Sequence, residues 1–237
     1  MFAYRAKLGI IYPAPGIIAE HEFFSVLPEG ITICTTRIPL LETTSKGLSQ
    51  MLEHASEAGA LLAQAAVDII AFLCTSGSLI NGVGFDLELA QKISSHTGIK
   101  VITTATAVLE ALNFFKAKKL LVLTPYTEEI NKLEMKFLEG NGFEVLAIKG
   151  LGISDSRQMG DVDPGIIYRF CKNNYHSEAD VLFISCTGIP TFSIINSLEE
   201  DIGIPVISSN QVSLWSMLKH SGVKSVIPKL GVLFSGK

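Results

Sequence analysis

The chain has 237 residues, of which 48% are hydrophobic and 18% charged, with a formal net charge of −4. A chain this apolar buries enough surface to offset the entropy lost on ordering, which excludes intrinsic disorder. The acidic balance and the lack of a basic run argue against nucleic acid as a partner.

The mean hydropathy of +0.39 raises the question of a membrane segment. The most apolar stretch, residues 60–74, is interrupted by Gln64 and Asp68. It also falls short of the ~20 apolar residues that a spanning helix needs. The first residues do not resemble a signal peptide, because their apolar run is short and Pro and Gly follow at once. We therefore expect a cytoplasmic globular protein without a membrane partner.

Short β-branched runs alternate along the chain with longer segments whose apolar residues recur every three or four positions. The segments predict helices, several of which end at Gly or Asn. The short runs predict strands at residues 7–12, 31–37, 69–74, 101–104, 120–124, 144–148, 181–186 and 205–209. Such alternation with apolar strands indicates an α/β fold whose parallel sheets are covered by helices on both faces.

The second half of the chain repeats the first. Residues 7–13 correspond to 119–125, Gly30 to Gly142 and 68–75 to 180–187, all at the same offset, and 98–104 correspond to 203–209 at a slightly shorter one. Agreement at one offset indicates duplication. We expect two lobes, each a four-stranded parallel sheet flanked by helices, formed by residues 1–105 plus 211–237 and by residues 106–210. Their strands' carboxyl ends should border a cleft between the lobes.

In each half of the chain, the third predicted strand ends with a cysteine. Cys74 and Cys186 are both followed by small hydroxyl residues and glycine, as expected for a tight turn into a helix N-terminus. Backbone N–H groups there can bind a carboxylate, and the local positive potential lowers the pKa of a thiol. Thiols on opposite sides of a ligand can remove and deliver a proton on opposite faces of a carbon. Cys74 and Cys186 are therefore the predicted catalytic pair.

The sequence contains few signals for metal, disulfide or nucleotide chemistry. Cys34 and Cys171 are interpreted as structural thiols, and the four cysteines have no CxxC spacing, so neither a metal site nor a disulfide framework is predicted. No GxGxxG opens a helix after the first strand, which argues against a dinucleotide. Arg37 and Arg157 are weaker candidates for contact with a dianionic substrate, and Asn210 is expected to cap a helix that begins near Gln211.

These motifs resemble the aspartate/glutamate racemase superfamily, and within it the branch of maleate cis–trans isomerases and arylmalonate decarboxylases. The resemblance is carried by CTSGS at residues 74–78, SCTG at 185–188, SSNQ at 208–211 and Trp215, and it extends over nearly the whole chain. It implies a cofactor-independent enzyme that acts on a small carboxylate or dicarboxylate.

The resemblance also implies roles for residues beside the thiols. Thr75 and Ser76 would donate to a substrate carboxylate or enediolate oxygen, Thr187 and Gly188 would serve a second carboxylate, and Tyr126 would hydrogen-bond a carboxylate. Pro13 and Pro15 lie in the loop after the first strand and are expected to line the pocket. A homo-oligomer is compatible with the sequence.

The expected activity is isomerisation or racemisation, with a maleate isomerase as the leading interpretation. The alternatives are an arylmalonate-type decarboxylase, an Asp/Glu racemase and, with less support, a non-catalytic two-lobed carboxylate-binding protein. Maleate isomerases usually carry Asn where the first-strand loop has Ala14 or Pro15, and this loop looks more like that of the decarboxylases. The decarboxylases, however, have Gly where this chain has Cys74.

Overall fold

The structure is a computed structural model that describes residues 3–224 and 226–235. The described residues form eight strands and ten α-helices. The strands are β1 Ala6–Pro13, β2 Ile31–Ile38, β3 Ile69–Phe72, β4 Val101–Thr103, β5 Lys119–Thr124, β6 Glu144–Gly150, β7 Val181–Ile184 and β8 Val206–Ser208. The α-helices are α1 Ile18–Val26, α2 Ser45–Leu52, α3 Ala55–Gln64, α4 Thr75–Leu79, α5 Phe85–Thr97, α6 Thr104–Phe114, α7 Glu128–Gly140, α8 Pro164–Asn173, α9 Ile195–Ile202 and α10 Ser209–His220.

The strands form two parallel sheets with the same topology. Their orders are β2-β1-β3-β4 and β6-β5-β7-β8, so the central strands β1 and β5 occupy equivalent places. Each strand lies within two residues of the predicted bounds. The predicted α/β class with two four-stranded parallel sheets is therefore confirmed.

The repeat between the two halves has a structural counterpart in two aspartates. The Asp68 carboxylate accepts a hydrogen bond from the backbone N–H of Lys7 at 2.7 Å. The Asp180 carboxylate accepts from the backbone N–H groups of Lys118 and Lys119 at 2.7 and 2.8 Å. Each aspartate thus joins the start of the central strand to the start of its neighbour, which sets the position of both strands.

Other repeated positions begin or end elements in the same way. Gly30 and Gly142, before β2 and β6, have φ values of +84° and +90°, a region that glycine enters without steric cost. Thr103 and Ser208, the last residues of β4 and β8, cap the helices that follow. The cap of α10 is therefore Ser208 and not Asn210, so the expectation for Asn210 was wrong.

The apolar core continues from one lobe to the other. The buried cluster that contains Ile11 and Phe72 of the first sheet also contains Leu123 and Ile184 of the second. Helix α10 packs against α6 and against β3 and β4. Shared apolar burial of this kind holds the ends of the two sheets against each other. Within the described ranges, no helix combines the length and apolar character needed to cross a membrane.

Candidate active site

The candidate site lies where the carboxyl ends of the two sheets meet. In each sheet the chain runs from the central strand to one neighbour and then returns to the other side, so the strand order reverses between β1 and β3 and between β5 and β7. Such reversal points are where open α/β sheets bind ligands. Cys74 follows β3, Tyr126 follows β5 and Cys186 follows β7. All three line one cavity between the lobes.

The cavity is small and mostly uncharged. Its volume is about 30 Å³, and none of the described residues that line it is Lys, Arg or His. The lining residues are Tyr12, Pro13, Pro15, Gly16, Leu40, Thr43, Cys74, Ser76, Tyr126, Ser156, Met159, Cys186, Thr187 and Gly188. An anion here would be bound by hydroxyl and backbone N–H groups, which can stabilise developing negative charge without a cation.

Two loops meet beside the cavity and contribute to its lining. The loop after β2 and the loop after β6 meet in an antiparallel bridge between Glu42 and Asp155. The Thr43 N–H donates to the Ser154 carbonyl at 2.9 Å, and the Thr43 and Ser156 hydroxyl oxygens lie 3.0 Å apart. Because the two loops come from different halves of the chain, this contact joins the halves beside the cavity, which Leu40, Thr43 and Ser156 line.

Cys74 is positioned by the start of a helix. It caps α4 with an extended backbone, and its side chain is buried. Its Sγ lies 3.9 Å from the Ser76 hydroxyl. Burial raises the pKa of the Cys74 thiol to about 11, while the Gly77 N–H and the Ser76 hydroxyl act to lower it. These two donors are placed to stabilise a Cys74 thiolate when it forms.

Cys186 has an unusual backbone conformation. Its φ of +99° lies in the region that favours glycine. The Cys186 N–H donates to the Ser209 hydroxyl at 3.0 Å, and the Gly188 N–H donates to the Cys186 Sγ at 3.2 Å. The expected turn is present at residues 187–188, but it does not lead into a helix, because α9 begins only at Ile195. The strained backbone, together with the loop, directs the thiol into the cavity.

Both thiols depart from the expectation of a lowered pKa. Burial also raises the pKa of Cys186, to about 12, although the Tyr126 hydroxyl and the Gly188 N–H oppose the shift. The sequence identified the donors near each cysteine but not the burial of both thiols in a cavity where no described residue supplies a cationic side chain. Desolvation therefore outweighs hydrogen bonding, and both cysteines rest as thiols.

The backbone strain at Cys186 can be measured by comparing two substitutions that both remove the thiol. We expect Cys186→Gly to have a free energy of unfolding about 1–2 kcal/mol higher than Cys186→Ala, because only glycine adopts a positive φ without steric cost. Chemical denaturation of both variants measures the difference. The matched pair changes Cys34, which lies within β2. There, Cys34→Ala should have a higher free energy of unfolding than Cys34→Gly. Equal stabilities of the two Cys186 variants would contradict a strained backbone.

Six of the seven residues that the resemblance or their loop position assigned to substrate binding line the cavity: Pro13, Pro15, Ser76, Tyr126, Thr187 and Gly188. Thr75 is not among the lining residues, and its hydroxyl donates to the Ser209 hydroxyl at 2.8 Å. The Thr187 hydroxyl donates to the Leu73 carbonyl at 3.3 Å. Both threonine hydroxyls thus make contacts between the lobes.

The two arginines considered from the sequence lie outside the cavity lining. Arg37 donates to the carbonyls of Ala14 and Gly16 at 2.8 and 2.6 Å and pairs with Glu20. It therefore supports the loop that carries Pro15. Arg157 is exposed and pairs with the aspartate two residues before it.

Sequence reasoning missed Glu22, a buried carboxylate on α1. Glu22 accepts hydrogen bonds from the backbone N–H groups of Thr191 and Phe192 at 2.5 and 2.7 Å and from the Asn210 side-chain amide at 2.6 Å. The Thr191 hydroxyl donates to the same carboxylate at 3.4 Å. Burial raises the pKa of Glu22 to about 7, and these four hydrogen bonds act in the opposite direction. Its partners lie in the last quarter of the chain, and no local pattern marks the residue.

The hydrogen bonds of Glu22 extend to the loop that carries the second thiol. The Thr187 carbonyl, one residue after Cys186, accepts from the Asn210 amide at 3.3 Å and from the Tyr12 hydroxyl at 3.0 Å. Glu22 and Tyr12 belong to the first lobe, whereas Thr187 belongs to the second half of the chain. Together they hold the Cys186 loop against the first lobe.

Two α/β sheets of the same topology, each with a thiol at its reversal point and both thiols on one cavity, define a class of two-lobed α/β proteins with a paired-cysteine site. The chain belongs to the arylmalonate decarboxylase family, whose sequence profile matches residues 8–234.

Similar proteins from this branch include maleate isomerases. The maleate isomerase of Geobacillus stearothermophilus is 25% identical over 249 aligned positions that cover 99% of both chains. A cysteine-to-alanine variant of maleate isomerase from Pseudomonas putida S16, solved with maleate, superposes with a TM-score of 0.95 at 24% identity, covering 98% of both chains. A cysteine-to-serine variant of the Nocardia farcinica maleate cis–trans isomerase, with a covalently bound succinylcysteine intermediate, gives 0.95 at 20% identity and covers 98% of this chain and 99% of that one.

Proposed function

We propose that this protein is a cofactor-independent maleate cis–trans isomerase that uses Cys74 and Cys186 as its chemical groups. The observation that carries the proposal is the placement of two buried thiols, one from each lobe, on a single cavity. The similarity to maleate isomerases, one of them solved with a succinylcysteine intermediate, supports the same conclusion.

In the proposed mechanism, the Cys74 thiol first gives its proton to solvent water. The resulting thiolate then adds to one alkene carbon of maleate and forms a C–S bond. The electron pair of the double bond moves towards the carboxylate on the other alkene carbon, and the Cys186 thiol gives its proton to that carbon. The resulting succinyl adduct has a C–C single bond, about which it rotates. Cys186 then removes the proton, the double bond re-forms, and the C–S bond breaks to release fumarate and the Cys74 thiolate.

Charge stabilisation in this reaction is proposed to come from hydroxyl and backbone groups. Ser76 and the first turn of α4 would bind one carboxylate beside Cys74, and Tyr126, Thr187 and Gly188 would bind the other beside Cys186. Thr75 would contribute through its backbone or through Ser209. These donors would act where negative charge develops in the transition state, which is where hydrogen bonds accelerate a reaction most. Pro13 and Pro15 would shape the cavity.

A second candidate is decarboxylation of a disubstituted malonate, with Cys186 as the sole proton donor. It is favoured by the first-strand loop, which lines the cavity with Pro13 and Pro15 and with no side-chain amide. Cys74 argues against it, because protonation of a planar intermediate needs only one thiol. Exchange of an α-proton by an Asp/Glu racemase would use both thiols but no covalent adduct.

We further propose that the two lobes comprise residues 1–105 plus 211–237 and residues 106–210. The packing of α10 on β3, β4 and α6 supports the return of the C-terminal segment to the first lobe.

A cytoplasmic location is part of the same proposal, because the four cysteines are free thiols and a reducing compartment keeps them so.

Proton NMR of the purified protein with maleate in D₂O tests the proposal. The expected result is the appearance of fumarate, with deuterium entering the recovered maleate as Cys186 exchanges its proton with solvent. Maleate left intact would contradict the isomerase. An arylmalonate and the two enantiomers of aspartate and glutamate, measured in the same way, would then distinguish decarboxylation from racemisation.

A further inference from the structure

Two hydroxyl groups from opposite halves of the chain meet on the cavity wall, and the proposed mechanism does not use them. Thr43 follows β2 and Ser156 follows β6, both residues are buried, and both line the cavity. Their hydroxyl oxygens lie 3.0 Å apart, within hydrogen-bond distance. The pair is therefore part of the wall that a bound ligand touches.

One hydroxyl proton of this pair has no acceptor among the described residues. Each hydroxyl has one proton, and a hydrogen bond between the two uses only one of them. Neither hydroxyl makes another hydrogen bond within the described ranges. Whichever hydroxyl donates to the other, the remaining proton is available to an acceptor in the cavity. A buried donor of this kind gains most from a ligand that accepts its hydrogen bond.

The backbones beside the hydroxyl pair are joined by reciprocal hydrogen bonds. The Thr43 N–H donates to the Ser154 carbonyl at 2.9 Å, and the Ser156 N–H donates to the Leu41 carbonyl at 3.4 Å. Thr43 and Ser156 are 113 positions apart, one more than the two thiols. The second bond is thus the counterpart of the first in the other half of the chain. Such reciprocity marks an approximate twofold axis, at which a residue meets its own counterpart.

The same axis passes between the two thiols. Cys74 and Cys186 are counterparts in the internal repeat, so they lie on opposite sides of the axis. The hydroxyl pair lies on the axis and lines the same cavity. The pair therefore faces the space between the thiols, where the reacting carbons of a substrate are proposed to lie.

Several other polar groups on the cavity wall already donate to protein atoms. The Tyr12 hydroxyl donates to the Thr187 carbonyl, and the Thr187 hydroxyl donates to the Leu73 carbonyl. The Gly188 N–H donates to the Cys186 Sγ. Because no described Lys, Arg or His lines the cavity, an anion gains from each donor that remains free. The free proton of the hydroxyl pair is one such donor.

We propose that Thr43 and Ser156 form a specificity-determining subsite that donates one hydrogen bond to a carboxylate oxygen of the substrate. The choice of a dicarboxylate rests on the proposed function, whereas the free donor is a property of this chain. An apolar group at this place would leave a buried hydroxyl proton without an acceptor, which lowers affinity. The subsite therefore favours substrates with a polar acceptor here over those with an apolar substituent.

The test is the dissociation constant of succinate, a saturated analogue of maleate, measured by isothermal titration calorimetry. Butyrate, in which a methyl group replaces one carboxylate, is the comparison ligand. The double variant Thr43→Val/Ser156→Ala has neither hydroxyl. We expect it to bind succinate about 10- to 100-fold more weakly, the usual effect of losing a hydrogen bond to a charged group. Its affinity for butyrate should change by less than about threefold.

The single variants separate ligand binding from a structural role. Thr43→Val or Ser156→Ala removes the bond between the hydroxyls but leaves one hydroxyl whose proton is free. Each single variant should therefore bind succinate within about threefold of the wild type. If the pair served only to join the two loops, either single variant would already show the full loss, and that result would overturn the proposal.

Thr35→Val, in β2 and outside the cavity lining, is the matched control and should bind both ligands like the wild type. Equal weakening of both ligands by the double variant, or unchanged binding of succinate, would contradict the subsite. So would a wild type that does not bind succinate. Should the double variant not fold, Thr43→Ala/Ser156→Ala removes the same hydroxyls with smaller side chains. Because succinate has no double bond to isomerise, a failure to convert maleate leaves these outcomes unaffected.

Discussion

Cys74→Ala is expected to abolish the conversion of maleate into fumarate, because the alanine side chain cannot add to the double bond. Loss of the nucleophile also removes the covalent adduct, so mass spectrometry should find no maleate bound to this variant. Cys34→Ala is the matched control, since Cys34 lies in β2 and is not part of the cavity lining. Full turnover by Cys74→Ala would show that the two-thiol mechanism is wrong.

Cys186→Ala should separate the two chemical roles. We expect turnover to fall on the order of 10²–10⁴-fold, the usual contribution of a positioned general acid or base. Cys74 remains in this variant, so its thiolate can still add to maleate while solvent water slowly protonates the other alkene carbon. A protein mass increased by one maleate is the expected product. If Cys186→Ala left turnover unchanged, the proton donor would have to be another group, and Tyr126 is the nearest candidate.

Glu22→Ala is expected to produce the largest loss of stability among single substitutions near the site. It leaves the N–H groups of Thr191 and Phe192 and the Asn210 amide without their acceptor. Buried donors without partners cost on the order of 1–3 kcal/mol each, so we expect the free energy of unfolding at pH 8 to fall by about 3–5 kcal/mol. Urea denaturation followed by circular dichroism measures the change.

Glu22→Gln refines this prediction because it keeps one acceptor oxygen for the two backbone N–H groups. Its new amide group would face the Asn210 amide, although rotation of Asn210 can present its side-chain oxygen, which has no partner among the described residues. We expect a smaller loss than for Glu22→Ala. Glu29→Ala, an exposed change in the same lobe, should alter stability by less than about 0.5 kcal/mol. If Glu22→Ala is no less stable than this control, Glu22 does not hold the lobes together.

The pH dependence of stability has a defined sign for both buried glutamates. Burial raises the pKa of Glu22 and Glu134 to about 7 in the folded protein, above the ordinary value of 4.5. The unfolded chain therefore loses these protons first. Their contribution to stability is fully present below about pH 4.5 and is lost as the pH rises towards 7. Glu134→Gln removes one such group, so its stability should fall less between pH 5 and pH 8 than that of the wild type.

The sequence by itself determined the sheets and the position of the two thiols. Strands in a parallel sheet are apolar on both faces, so each appears as a short continuous run that can be recognised locally. The internal repeat then indicated two equivalent sheets, and Asp68 and Asp180 show why those positions recur. Cys74 and Cys186 were found because the end of a strand is a local feature and ligands bind at that edge of the sheet.

Only the tertiary structure decided the electrostatics of the site and the contacts that join the lobes. Glu22 meets Thr191 and Asn210 from the opposite end of the chain, and such pairs leave no periodic trace in a single sequence. The positive φ of Cys186 is likewise imposed by its surroundings, since cysteine does not prefer that conformation. Burial in a cavity that no described Lys, Arg or His side chain lines raises the pKa of both thiols. Desolvation depends on all atoms around a group, so it follows from the packed structure and not from the residues next to it in sequence.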